Sequence, residues 1–85
     1  MELQQQFEAA VAQSKTLSQK PDNETLLKLY SLYKQATDGD INIDEPTNMF
    51  DFVGKAKYNA WNELKGTSKE DAMNNYITLV QQLKG

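Results

Sequence analysis

The sequence predicts an all-α fold of four helices, and three observations carry that prediction. Four segments place apolar side chains at i, i+3 and i+4 spacing, the period of a helix with one buried face. Each segment is bounded by proline, glycine or a capping residue. Strand-like alternation is confined to Ile41 and Ile43, a run too short to pair.

The first helix is expected over Leu3 to Leu17, on the stripe Leu3, Phe7, Ala10, Val11, Ser14 and Leu17. Pro21 follows and cannot donate to a continuing ladder. The second starts at Asp22 or Asn23, both good N-caps. It runs through Leu26, Leu29, Tyr30, Tyr33, Ala36 and Thr37, with Leu27 and Lys34 one step to the side, and Gly39 stops it. A connection rich in Asp, Asn, Gly and Pro spans Asp38 to about Asp51. It exceeds the usual loop between bundle helices, so helices 2 and 3 need not be simple antiparallel neighbours. The third helix is expected over Asp51 to Lys65, with Val53, Ala56, Lys57, Ala60, Trp61 and Leu64 as its stripe and Gly66 as its stop. Thr67-Ser68-Lys69-Glu70 reads as a capping box for the fourth, which buries Ala72, Met73, Tyr76, Ile77, Val80 and Leu83.

Eighty-five residues allow one domain with a thin core. Histidine, cysteine and arginine are all absent. The usual general base, the usual thiol nucleophile and most zinc ligands are missing, so the expectation is a protein that catalyses nothing. The net charge of -3 and the pI of about 4.8 disfavour nucleic acid as a partner. The N-terminus has no signal-peptide pattern, and no stretch approaches the ~20 apolar residues of a membrane span. The expected location is cytoplasmic, without stable membrane insertion.

Candidate sites are few. Asp38, Asp40, Asn42 and Asp44 alternate like the start of an EF-hand loop, but Ile43 and Met49 stand where that loop needs Gly and Glu. A solvated turn capped by its own aspartates is the better reading, and no metal is expected. Tyr30, Tyr33 and Lys34 share one face of helix 2. They are either core aromatics beside a solvated charge, or two phenols and an ammonium that bind an anion with a ring to stack. Lys57, on the apolar stripe between Val53 and Trp61, either snorkels out along its stem or meets the same anion. Tyr76 by its spacing reads as core. Spacing does not decide among these. Neither GxGxxG nor a Walker A run occurs.

Longer runs do decide. Tyr30-Ser31-Leu32-Tyr33-Lys34-Gln35-Ala36-Thr37-Asp38-Gly39-Asp40-Ile41-Asn42, Met49-Phe50-Asp51-Phe52, Gly54-Lys55-Ala56-Lys57-Tyr58-Asn59-Ala60-Trp61-Asn62 and Leu64-Lys65-Gly66-Thr67-Ser68-Lys69-Glu70-Asp71-Ala72-Met73, with Pro46 and Tyr76-Ile77, resemble the acyl-CoA-binding protein (diazepam-binding inhibitor) family over nearly the whole chain. The resemblance implies a single acyl-CoA-binding domain over residues 1–85 and an up-down-down-up four-helix bundle with a long overhand connection between helices 2 and 3. It implies a monomer that binds, sequesters and transports long-chain fatty acyl-CoA, with transient contacts to acyl-CoA-using enzymes and no cofactor beyond that ligand. The family's CoA-holding positions carry over as Lys15, Tyr30, Tyr33, Lys34, Lys57 and Tyr76, with Lys20 a weaker match in helix 1. On that reading Lys34 and Lys57 neutralise phosphates, Tyr33 and Tyr76 donate hydroxyl hydrogen bonds, and Tyr30 stacks. Leu27 and Ala10 line the acyl path.

There are departures. A family lysine falls on Val53 and a family tryptophan on Tyr58, and Thr47-Asn48 lengthens the loop by one residue. The sequence also ends at Gly85, short of the lysine-rich tail common in the family. Loss of the cation at Val53 implies weaker head-group affinity. A helical interaction module without a ligand, or a thioester-processing enzyme, would be the other classes.

Overall fold

The fold, a computed structural model, describes residues 2–84; Met1 and Gly85, the outermost positions of the expected domain, lie outside them. Four helices form: α1 (Leu3–Ser14), α2 (Asn23–Thr37), α3 (Phe52–Asn62) and α4 (Lys69–Lys84). In space α1 packs along α4, α4 along α2, and α2 along α3. Successive helices α1 and α2 both pack along α4 and meet each other through side chains such as Phe7 and Tyr33. The long 38–51 connection carries the chain from α2 to α3.

The helix ends show where local chemistry prevails. Asp22 caps α2 by accepting from the Thr25 N–H at 2.8 Å; the Thr25 side chain and then this N–H hold its carboxyl below the ordinary carboxylate range. Asp51 caps α3 through the Gly54 N–H at 3.0 Å, and a Cβ at position 54 would collide with that carboxylate. Gly39 takes φ +84° and closes α2, the left-handed conformation that glycine adopts without strain.

Three expected boundaries move. α1 stops at Ser14 rather than Leu17, because Lys15 and Thr16 make tight i−3 bonds while the Ser14 and Thr16 hydroxyls bond back to the Val11 and Gln13 carbonyls. α3 stops at Asn62 rather than Lys65, where Leu64 and Lys65 also switch to i−3 bonds. Gly66, at φ +94°, ends that tightened turn and not the helix proper. The cap of α4 is Ser68, whose Oγ accepts from the Asp71 N–H at 3.0 Å. Thr67, the expected cap, is spent closing the preceding turn onto Leu64.

The core joins Phe7, Ala10, Leu29, Leu32, Ala36, Ala72, Tyr76 and Val80. Phe7 meets Tyr76 edge-on, with ring centroids 5.2 Å apart. Helix α2 is rotated from its expected stripe. Leu32 and Gln35 are buried, whereas Tyr33 is 41% exposed and Thr37 lies in solvent. The cause is that α2 serves two neighbours, so its buried arc is wide and is not centred on the tyrosines. Val53, expected in the core, is 65% exposed.

The loop is anchored by side chains far away in sequence. Trp61 Nε1 donates to the Gly39 carbonyl at 2.9 Å. The Asp40 carboxylate accepts from the Gly66 N–H at 2.8 Å and from Gln35 Nε2 at 2.9 Å, and Gln35 Nε2 also reaches the Thr67 carbonyl. Asp40 therefore ties the loop to the α3–α4 turn and does not merely cap Gly39 and its neighbours.

Candidate functional site

The N-terminal half of α2 and the start of α3 form the two walls of a surface trough of about 390 Å³. Leu26, Leu27, Phe52, Val53 and Ala56 make it apolar, with Tyr30 and Lys57 at one side. A second depression of about 320 Å³ lies between α1, α2 and α4. It collects Lys15, Tyr30, Tyr33 and Tyr76 beside Val11 and Ser14. The two share Leu26 and Tyr30, so the apolar trough adjoins a patch of phenols and an ammonium group along α2.

The aromatic side chains and Lys57 are held by packing. The Lys57 ammonium lies 5.2 Å from the centroid of the Tyr30 ring, a cation–π distance that bridges α3 to α2. Tyr33 stacks on Phe7 at 5.9 Å and is 41% exposed. The Lys34 ammonium pairs with Asp38 at 2.8 Å and sits 5.2 Å over the Trp61 ring. Its hydrogen bond to Asp38 raises its pKa above the ordinary lysine value, so it is a cation at every physiological pH. Tyr76 is only 4% exposed; its hydroxyl donates to Ser14 Oγ at 3.1 Å, and the Ser14 hydroxyl donates on to the Val11 carbonyl at 2.7 Å.

The expected site residues divide accordingly. The two depressions bring together Lys15, Leu27, Tyr30, Tyr33, Lys57 and Tyr76. Lys34 stands on the next turn of α2 beyond Tyr30, tied to Asp38 and Trp61 rather than lining either hollow. Ala10 does not join them: it is 4% exposed inside the core, because its face of α1 is packed against α4. Lys20 lies beyond α1, outside both depressions. Sequence reading missed Leu26, Phe52 and Ala56 as walls, and missed Ser14 as the acceptor for Tyr76. The run Phe52-Val53 at a helix start was the available signal, since it places two large apolar groups where solvent is nearest.

Such an arrangement suits an amphiphile with an alkyl part and an anionic, aromatic head. Among the described residues, no group of three or more acidic side chains is placed to hold a metal ion, and no helix is long and apolar enough to cross a membrane.

Comparison with known proteins points the same way. The family model described as acyl CoA binding protein matches residues 4–80. The chain is 57% identical over 77 residues to an acyl-CoA-binding protein of Dictyostelium discoideum, covering 91% of this chain and 90% of that one. It is 52% identical over 77 residues to acyl-CoA-binding protein homolog 1 of Caenorhabditis elegans, covering 91% and 88%. The crystal structure of Oryza sativa acyl-CoA-binding protein 2 superposes with a TM-score of 0.89 at 44% identity, covering 96% of this chain and 90% of the rice protein.

Proposed function

The chain belongs to the acyl-CoA-binding protein family, and from that premise we propose that it binds long-chain acyl-CoA in the trough and its adjoining tyrosine–lysine patch. The observation that carries the reading is that the two hollows lie side by side on α2, with Leu26 and Tyr30 lining both. An alkyl chain lies along Leu26, Leu27 and Ala56, and the CoA head rests on the cationic, phenolic side. Lys15, Lys34 and Lys57 neutralise phosphates, Tyr30 stacks, and Tyr33 offers its hydroxyl. Tyr76 supports the head from below. The domain extends over residues 1–85, acts as a monomer in the cytoplasm, and hands its ligand to acyl-CoA-using enzymes through transient contacts.

Magnitudes assign the work. Each buried methylene is worth about 0.8 kcal/mol, so ten contribute roughly 8 kcal/mol gross. An exposed lysine–phosphate pair is worth about 1 kcal/mol or less at physiological salt. The tail therefore supplies most of the affinity, and the head-group contacts make the ligand a CoA ester rather than a free fatty acid. A carrier must also leave its thioester intact. A site of lysine and tyrosine, in a chain without histidine or cysteine, suits that demand.

Native mass spectrometry of freshly purified protein tests the reading, with calorimetry against palmitoyl-CoA, free CoA and palmitate. The expected result is a co-purifying CoA ester and tight uptake of palmitoyl-CoA alone. Equal affinity for free CoA and palmitoyl-CoA would overturn it, and thioester turnover by the pure protein would make it an enzyme.

A further inference from the structure

Phe52 and Val53 open α3 beside the trough and remain 72% and 65% exposed. Phe50 and Met49, just upstream, are exposed as well. Contiguous apolar surface of this kind marks a contact made with something else. What Phe52 and Val53 touch is set by their place, because both are walls of the trough beside Leu26, Leu27 and Ala56. Among the described residues lining that trough, Lys57 alone is charged, and it is turned onto the Tyr30 ring. Val53 precedes Lys57 by one helical turn, about 6 Å along the axis. Of the lining residues, the charged one thus lies beside the tyrosine patch, and Phe52 and Val53 bring no charge into the trough. A lysine at this position would bring an ammonium to the rim instead.

We propose that Val53, seated beside Phe52, sets the acyl chain-length preference of this protein by covering the methylenes farthest from the thioester. The inference rests on the reading of the trough as an acyl-CoA site. Short chains end before the rim and gain nothing from it. Longer chains exchange the exposed faces of Val53 and Phe52 for alkyl contact, and their affinity rises accordingly.

Calorimetry on the full chain with octanoyl-, dodecanoyl-, hexadecanoyl- and eicosanoyl-CoA tests this, using the wild type, Val53→Thr and Val53→Lys. Threonine keeps the branched shape and replaces one methyl by a hydroxyl. In Val53→Thr, Kd for hexadecanoyl- and eicosanoyl-CoA should rise about four- to fifteenfold, the worth of one or two methylenes, while octanoyl-CoA changes by less than about twofold. Val53→Lys should flatten the dependence on chain length further and make binding more sensitive to salt. Position 53 is exposed, so thermal melts should show both variants folded. An equal shift at every chain length, or none, would overturn the role of the rim while leaving the acyl-CoA site standing. A wild type that takes up no acyl-CoA of any length would overturn both.

Discussion

The hydroxyl of Tyr76 is already committed to Ser14, and that of Ser14 to the Val11 carbonyl. A buried phenol in such a chain is first a structural group. Tyr76→Phe keeps the ring against Phe7 and deletes one hydrogen bond, so it should lower stability by about 1 kcal/mol. If Tyr76 acts on the ligand only as a support, Kd for palmitoyl-CoA should change by less than about threefold, the effect of a weak neutral bond. Lys34 is the opposite case. Its pair with Asp38 is half in solvent, and such pairs contribute about 1 kcal/mol or less. Lys34→Ala should therefore lower the melting temperature by a few degrees at most while weakening palmitoyl-CoA binding about two- to fivefold, the range of a single exposed ion pair. Calorimetry beside far-ultraviolet circular dichroism separates the two effects, and unaltered binding would remove Lys34 from the site.

At the scale of elements, α3 reaches the core only through α2 and depends on the loop for its other support. Trp61 is almost wholly buried beneath that loop and holds it through Gly39. Trp61→Phe deletes that bond, strands the Gly39 carbonyl and leaves space beside it. A loss of about 1–3 kcal/mol is expected in urea unfolding. Asp40 adds a pH dependence. The Gly66 N–H, then Gln35, hold its carboxyl below the ordinary value of 3.8. Its folded pKa is depressed, so its contribution is full above roughly pH 5 and is lost as pH falls through 3.8 and below. Melts in this range should show Asp40→Asn losing less stability on acidification than the wild type. Parallel curves would mean that the latch carries no charge-dependent part.

The molecule as a whole is small, and the trough and the tyrosine-lined hollow keep apolar surface in water that a ligand would cover. Palmitoyl-CoA at about 100 times its Kd should add about 2.7 kcal/mol. A domain of this size gains about 4–8 °C per kcal/mol, so the melting temperature should rise by about 10 °C or more. Free CoA at the same concentration should raise it far less. Added salt should weaken palmitoyl-CoA binding only mildly, since exposed charges are screened and alkyl burial is not.

Much of this was legible along the chain because it is local. Helical period, the Asp22 and Asp51 caps and the left-handed Gly39 depend on residues within a few positions of one another, so a linear reading finds them. The long ordered runs from Tyr30 to Met73 placed the chain in its family, and with it came the expectation that Tyr30, Tyr33 and Lys57 meet the ligand. Periodicity alone could only leave those residues between core and site. Tertiary structure decided the rest: the rotation of α2, the burial of Ala10, the exposure of Val53, and the adjacency of trough and tyrosine patch at Tyr30. It also set the bonds from Trp61 to Gly39 and from Gly66 to Asp40, which span 22 and 26 positions. A helical stripe fixes which residues share a face, but only the neighbouring helices determine whether that face is buried or left open for a ligand.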